Sequence, residues 1–191
     1  MNKAALLLDD LLRGCRAGDR NSQQKLYEHF YGYAMHLCLR YTKHREEAVE
    51  ILNDAFFKAL TKIDTYDPAL PFKSWLRRIL INTAIDHFRK KHPGAAFVAL
   101  TEAHDVAAEA LPMPRLAPDE DMLPILRELS PAYRMVFNLY VMEGYKHQEI
   151  AELLGITPAA SRSNLTRALE KLRTLLADKE FGKNKLLKKE F

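Results

Sequence analysis

Residues 145–167 read Tyr145-Lys-His-Gln-Glu-Ile-Ala-Glu-Leu-Leu-Gly155-Ile-Thr-Pro-Ala-Ala-Ser-Arg-Ser-Asn-Leu-Thr-Arg167. Apolar Ile150, Leu153 and Leu154 share one side of a short helix. Gly155 follows, a residue suited to the left-handed conformation that ends helices. Thr157-Pro158 then reads as a cap and first helical residue. Ile156, Leu165, Leu169 and Leu172 give the next helix an inner stripe. The outer side is left with Ser161, Arg162, Asn164 and Thr166, with Ser163 and Arg167 beside them. Two helices about a tight turn, the second with a polar and basic leading face, have the layout of a DNA-reading helix-turn-helix. Arginine can bond guanine bidentately, asparagine can bond adenine, and hydroxyls can reach bases or phosphate. A helical hairpin with a solvated polar face is the simpler alternative on spacing alone.

Working outward, the 191-residue chain has room for one domain or two small ones, and its 48% hydrophobic and 28% charged content is that of a soluble globular protein. No apolar run approaches the roughly 20 residues that span a bilayer. The N-terminus lacks the long apolar core and small-residue cleavage site of a signal peptide. A cytoplasmic protein with no membrane insertion of its own is expected. Cys15 and Cys38 have no metal-type spacing, so free thiols are expected. The histidines show no zinc pattern, and no Gly-rich phosphate loop or Ser/His/Asp grouping appears. No metal, no cofactor and no catalytic residue is expected.

Charge divides the chain into three. Residues 1–92 carry net +5, residues 93–121 net −5, and residues 122–191 net +4. Five of the nine prolines fall at Pro93, Pro112, Pro114, Pro118 and Pro124. Residues 93–120 therefore read as a flexible acidic linker, with a short helix near Glu102–Ala110. The flanking blocks have helical, not alternating, periodicity. The fold class expected is all-α: two small helical domains, 1–92 and 121–177, and a mobile basic tail, 178–191.

Four helices are expected in the first domain: about Lys3–Ala17, one capped at Asn21 or Ser22, about Arg45–Ile63, and about Phe72–Lys91. Four more are expected in the second: about Asp121–Leu129, one opening at Ser130-Pro131, and the helix-turn-helix pair. In the third helix, Val49, Leu52, Phe56, Ala59, Leu60 and Ile63 line one face. Glu47, Glu50 and Asp54 gather on another, with Phe57 and Lys58 beside them. Such a face could dock a basic helix of a partner protein. Periodicity alone favours a solvated face with Phe57 buried.

The fourth helix is apolar almost all round, which suits a central position. One stripe breaks the pattern, with Arg78, Asn82 and Arg89 on one side and Arg77, Lys90 and Lys91 nearby. The preceding loop, Asp64 to Pro71, is polar and carries Tyr66. Cations beside an aromatic-bearing loop suit single-stranded nucleic acid. Trp75 and Tyr66 as core residues is the competing reading.

Three segments together resemble a known family. Glu47-Ala-Val-Glu-Ile-Leu-Asn-Asp-Ala-Phe-Phe-Lys-Ala-Leu60 resembles the polymerase-binding helix of bacterial sigma factors. Phe72-Lys-Ser-Trp-Leu-Arg-Arg-Ile-Leu-Ile-Asn-Thr-Ala-Ile-Asp-His-Phe-Arg-Lys-Lys91 resembles their promoter-melting segment. Leu129 to Arg173 resembles their C-terminal helix-turn-helix domain. The size and two-domain layout are similar to the extracytoplasmic-function (ECF) group of the sigma-70 family.

The resemblance implies a non-enzymatic subunit that gives core RNA polymerase its promoter choice and assists melting. It implies that Glu47, Glu50, Asn53, Asp54, Phe57 and Lys58 dock on the clamp helices of the large polymerase subunit. It implies that Asp64, Tyr66, Trp75, Arg77, Arg78, Asn82, Arg89 and Lys90 act at the minus-ten element, where a base is extruded and the melted strand held. Arg162, Ser163, Asn164, Thr166 and Arg167 match the recognition-helix face for the minus-thirty-five element. An anti-sigma partner is common in the group. Asn53 stands where glutamine is common, Lys146 where a capping Ser or Thr is common, and Asn164 where arginine is frequent. The rival from another class is a stand-alone helix-turn-helix regulator that binds operators as a dimer. It needs a dimer surface, for which no heptad run is present, and it leaves the Glu50/Asp54/Phe57 face without a role.

Overall fold

The computed structural model describes residues 3–92 and 122–187. The expected linker, its short helix near Glu102–Ala110, and residues 188–191 lie outside these. The described residues form helices and turns with no strand among them. The chain divides into two compact units, one ending at His87 and the next beginning at Phe88.

The first unit contains α1 (Lys3–Arg16), α2 (Arg20–Tyr41), α3 (Arg45–Thr61), a 3₁₀ turn (Ile63–Thr65) and α4 (Phe72–Lys91) as far as His87. Asp19, not Asn21 or Ser22, caps α2. Its carboxylate accepts from the backbone of Asn21 and Ser22, and also from the Ser22 hydroxyl. The Ser22 hydroxyl bond is the largest influence holding that carboxyl below its usual range. A carboxylate reaching forward over a helix start is the strongest kind of cap available here.

The core of this unit is apolar and aromatic. Leu26, Phe30, Ala34, Leu37 and Cys38 of α2 are buried with Ile51, Leu52, Ala55 and Phe56 of α3. Phe72, Leu76, Leu80, Ile81 and Ile85 supply the inner side of α4. Phe30 meets Phe72 with ring centroids 5.2 Å apart. The shared interior explains why α4 is apolar round much of its circumference.

The second unit contains α5 (Met122–Arg127), α6 (Pro131–Phe137) running into a π-helical turn (Asn138–Met142), α7 (His147–Leu154) and α8 (Pro158–Leu187). Ser130 caps α6 by accepting from the Tyr133 backbone, with proline at the first helical position. Arg134 is buried. Its guanidinium donates to the carbonyls of Leu126 (2.8 Å), Arg127 (3.1 Å) and Leu129 (2.8 Å). Those carbonyls lie at or just beyond the end of α5, so a cation there adds a charged donor to them at the negative end of the helix. Residues 178–187, expected as a mobile tail, continue α8 as helical backbone.

Candidate functional site

The helix-turn-helix is built from α7 and α8. Ile150 and Leu154 of α7 and Ala160, Leu165, Ala168, Leu169 and Leu172 of α8 are buried. Gly155 has φ +67°, the left-handed value the sequence demanded. Thr157 Oγ1 accepts from the Ala160 backbone at 3.0 Å, which caps α8. At α7 no side chain caps from Lys146. Instead Glu149 reaches back to accept from the Lys146 backbone at 2.7 Å. This is half of a capping box, and it replaces the hydroxyl cap that Lys146 cannot provide.

The leading face of α8 is narrower than its sequence suggested. Arg162 is exposed, and Ser163 and Arg167 are half-buried. Ser161, Asn164 and Thr166, expected to point outward, are buried. Asn164 lies four residues from Ala160 and four from Ala168, on a ridge whose other members are core. Thr166 turns its hydroxyl back to the Arg162 carbonyl at 3.1 Å, an i−4 bond within the helix. Ser161 Oγ sits 2.9 Å from Nδ1 of His147, joining the two helices. Arg167 donates to the Tyr133 hydroxyl of α6 at 3.4 Å. Arg162 and Ser163, with the outer part of Arg167, are thus the accessible polar groups of this set.

Along α4 the expected stripe is on the surface: Arg78, Asn82, Arg89 and Lys90 are exposed. Arg77 is half-buried and donates to the Tyr33 hydroxyl of α2 at 3.5 Å. Lys73, which the sequence reading passed over, lies 4.4 Å from the centroid of the same tyrosine ring. A lysine and an arginine four apart on one helix were the available signal, but their aromatic partner is 40 and 44 residues away in sequence.

The loop before α4 corrects another expectation. Tyr66 is buried, with its ring against Phe72 (5.2 Å) and Trp75 (5.5 Å). Its hydroxyl donates to the Leu70 carbonyl at 2.6 Å. The ring therefore holds the loop from inside and is not free to stack on a base. Trp75 is half-buried in the same cluster. Asp64 is exposed, and so is Leu70, one of the few large apolar side chains left in solvent among the described residues. Arg16 reaches over from α1 to bond the Tyr66 carbonyl at 3.2 Å.

The acidic face of α3 departs from the reading that periodicity favoured. Phe57 is 73% exposed. Positions 48, 51, 52, 55, 56 and 59 already fill the buried side of α3, and Phe57 falls opposite them. Around it, Glu50, Asn53 and Asp54 are exposed, and Glu47 and Lys58 are half-buried. Tyr27 of α2 donates to Asn53 Oδ1 at 3.0 Å. Burial is the main influence pushing the Tyr27 phenol above its ordinary value, so it remains a donor at neutral pH. Lys58 pairs with Asp86 at 2.9 Å, and Asp54 with His87 at 2.7 Å. Among the described residues there is no group of three or more His, Cys, Asp or Glu placed to hold a metal. No helix among them is long and apolar enough to cross a membrane.

Helical units, a basic stripe and a helix-turn-helix define a nucleic-acid-binding class of protein. Comparison with known families narrows it. The Sigma-70 region 2 model matches residues 26–93, and the Sigma-70 region 4 model matches residues 120–172. The ECF RNA polymerase sigma factor SigW of Bacillus subtilis (strain 168) is 29% identical over 184 residues, covering 91% of this chain and 98% of that protein. The RNA polymerase sigma factor SigV of the same organism is 28% identical over 146 residues, 76% of this chain and 86% of its own. Among solved structures, the sigma factor RpoE in complex with the anti-sigma factor NepR from Bartonella quintana aligns with a TM-score of 0.46. The identity is 20%, over 81% of this chain and 96% of that one. The chain belongs to the sigma-70 family, in its ECF group: it is an alternative sigma factor, which binds core RNA polymerase and promoter DNA and directs transcription initiation.

Proposed function

We propose how the parts of this sigma factor divide its work. The α3 face of Glu47, Glu50, Asn53, Asp54, Phe57 and Lys58 docks on the clamp helices of the large polymerase subunit. The α4 stripe of Arg78, Asn82, Arg89 and Lys90, with Arg77 and the loop from Asp64, holds promoter DNA where the strands part. Arg162, Ser163 and Arg167 select the upstream duplex element. Tyr66 serves the second task from inside the loop, by fixing its shape. The protein acts in the cytoplasm as a specificity subunit and carries out no chemistry of its own.

The observation that carries the docking assignment is Phe57. A phenylalanine 73% exposed amid three acids costs solvation in the free chain. Aromatic side chains framed by polar groups are the usual anchors of protein interfaces. The charge around it selects a basic partner surface. Asp54→Arg combined with Phe57→Ala tests it. The double variant should keep its far-ultraviolet helical signal and lose co-purification with core polymerase. A folded double variant that still co-purifies overturns the assignment.

A further inference from the structure

Three polar side chains assigned to docking, Asn53, Asp54 and Lys58, are tied to other helices. Asp54 and Lys58 are four residues apart on α3, a spacing at which an acid and a lysine commonly pair with each other. Here each turns to α4 instead. Asp54 Oδ2 accepts from His87 Nε2 at 2.7 Å, and Lys58 Nζ donates to Asp86 Oδ2 at 2.9 Å. The two clasps bracket Phe57 in sequence, three residues after Asp54 and one before Lys58.

We propose that Asp86 and His87 are positioning residues for polymerase docking: from α4 they fix Lys58 and Asp54 beside the exposed Phe57. The inference rests on the docking role of the α3 face given above. Holding these side chains in place before binding spares the ordering that a partner would otherwise have to impose. His87 occupies one oxygen of Asp54 and leaves Oδ1 for a cation on the partner. Both clasps are at the surface, with side-chain exposures of 40% and 49% for Lys58 and Asp86 and 27% and 58% for His87 and Asp54. Pairs this exposed add little to folding stability. Their removal should therefore register in docking and not in unfolding. The same helix carries Arg78 and Asn82, so the groups that steady docking belong to the element assigned to strand opening.

Equilibrium binding of the full chain to purified core polymerase tests this, with His87→Ala, Asp86→Ala, Asp54→Ala, Lys58→Ala and Phe57→Ala measured alongside the parent. His87→Ala and Asp86→Ala should each weaken binding by about two- to tenfold, with an unchanged melting temperature. His87→Ala should add no further loss in the Asp54→Ala background, nor Asp86→Ala in the Lys58→Ala background. His87→Gln, which keeps an N–H donor, should restore binding, and it carries the test if the alanine variant fails to fold. Parent-like or tighter binding by His87→Ala and Asp86→Ala, or no rescue by glutamine, overturns the proposal while Phe57→Ala still weakens docking. If Phe57→Ala binds as the parent does, it is the docking assignment itself that fails.

Discussion

Nδ1 of His147, the first residue of α7, lies 2.9 Å from the buried hydroxyl of Ser161, in the first turn of α8. The imidazole also stacks on Tyr140, with centroids 4.4 Å apart and planes at 19°. One ring thus links α7, α8 and the π-helical turn. Ser161→Ala should lower stability by about 1–3 kcal/mol, because a buried polar contact is broken without a replacement. Ser163→Ala, on the half-exposed side, should change it by less than about 0.5 kcal/mol. Urea denaturation followed by circular dichroism separates the two. Equal effects would mean that the His147 contact does not hold the motif together.

Gly14 marks where α1 closes on α2. A Cβ at that position would sit 2.1 Å from Ser22 Oγ and 2.6 Å from Ser22 Cβ. The hydroxyl is already engaged by Asp19 at 2.6 Å, so it cannot rotate away without giving up its bond to the capping carboxylate. Gly14→Ala should therefore destabilise the first unit by about 1–3 kcal/mol, the usual cost of overpacking. This should hold even though alanine is the better helix former. The single tryptophan, Trp75, lies in this unit and reports its unfolding by fluorescence. A stabilised alanine variant would mean that the helices can part at this point without penalty.

The fold was legible because helix signals are local. Gly155, Ser130-Pro131 and Thr157-Pro158 mark helix ends through the conformations their own residues favour, and α4 begins and ends at the residues its pattern indicates. The site was legible only in part, because exposure is a property of the packed unit. Asn164 and Thr166 are polar and sit between outward residues, yet the ridge through Ala160 and Ala168 takes Asn164 inward. Phe57 is apolar yet outward, since α3 had filled its buried side without it. Tyr66 read as a loop aromatic, and only its contacts with Phe72, Trp75 and the Leu70 carbonyl show it as a support. The pairs from α3 to Asp86 and His87 join positions 28 and 33 residues apart, beyond the reach of helical spacing.

Cys38 is fully buried in α2, and burial pushes its thiol up to about 12. At pH 8 that leaves roughly one molecule in ten thousand as thiolate, the form that reacts. Cys15 is also buried and its thiol is raised, by burial first and by the Asp19 charge second. In a Cys15→Ala background, Cys38 should resist an aromatic disulfide reagent at pH 8 and become reactive over the same urea range in which Trp75 fluorescence changes. Rapid labelling of the native chain would show that α2 opens locally without unfolding.

Asn82 and Arg78 are exposed one turn apart on α4, on the stripe proposed to hold the parted strand. Unpairing a base costs a few kcal/mol, and groups that hold it out recover part of that cost. Asn82→Ala should slow promoter opening by polymerase containing this sigma factor and leave initial duplex binding nearly unchanged. A template already unpaired across the minus-ten region should restore most of the lost rate. Equal loss on both templates would move Asn82 from strand capture to general binding.

Arg162 and Asn164 are two residues apart on α8 and should fail in different ways. Arg162 is exposed at the leading end of the helix, where a guanidinium can reach a base edge or phosphate. Arg162→Ala should cost about 1–3 kcal/mol in binding the upstream promoter element by the polymerase complex, with little change in stability. Asn164 is buried between Ala160 and Ala168, so its amide is committed to the interior. Asn164→Ala should alter folding stability more than sequence preference. Asn164→Arg, though it would supply the side chain frequent in the family, should destabilise the unit, because a long cation cannot be buried there without a partner. Selection from a randomised upstream element, run beside thermal denaturation of each variant, distinguishes these outcomes. A changed base preference in a fully stable Asn164→Ala variant would place that side chain at the DNA and return it to the reading face.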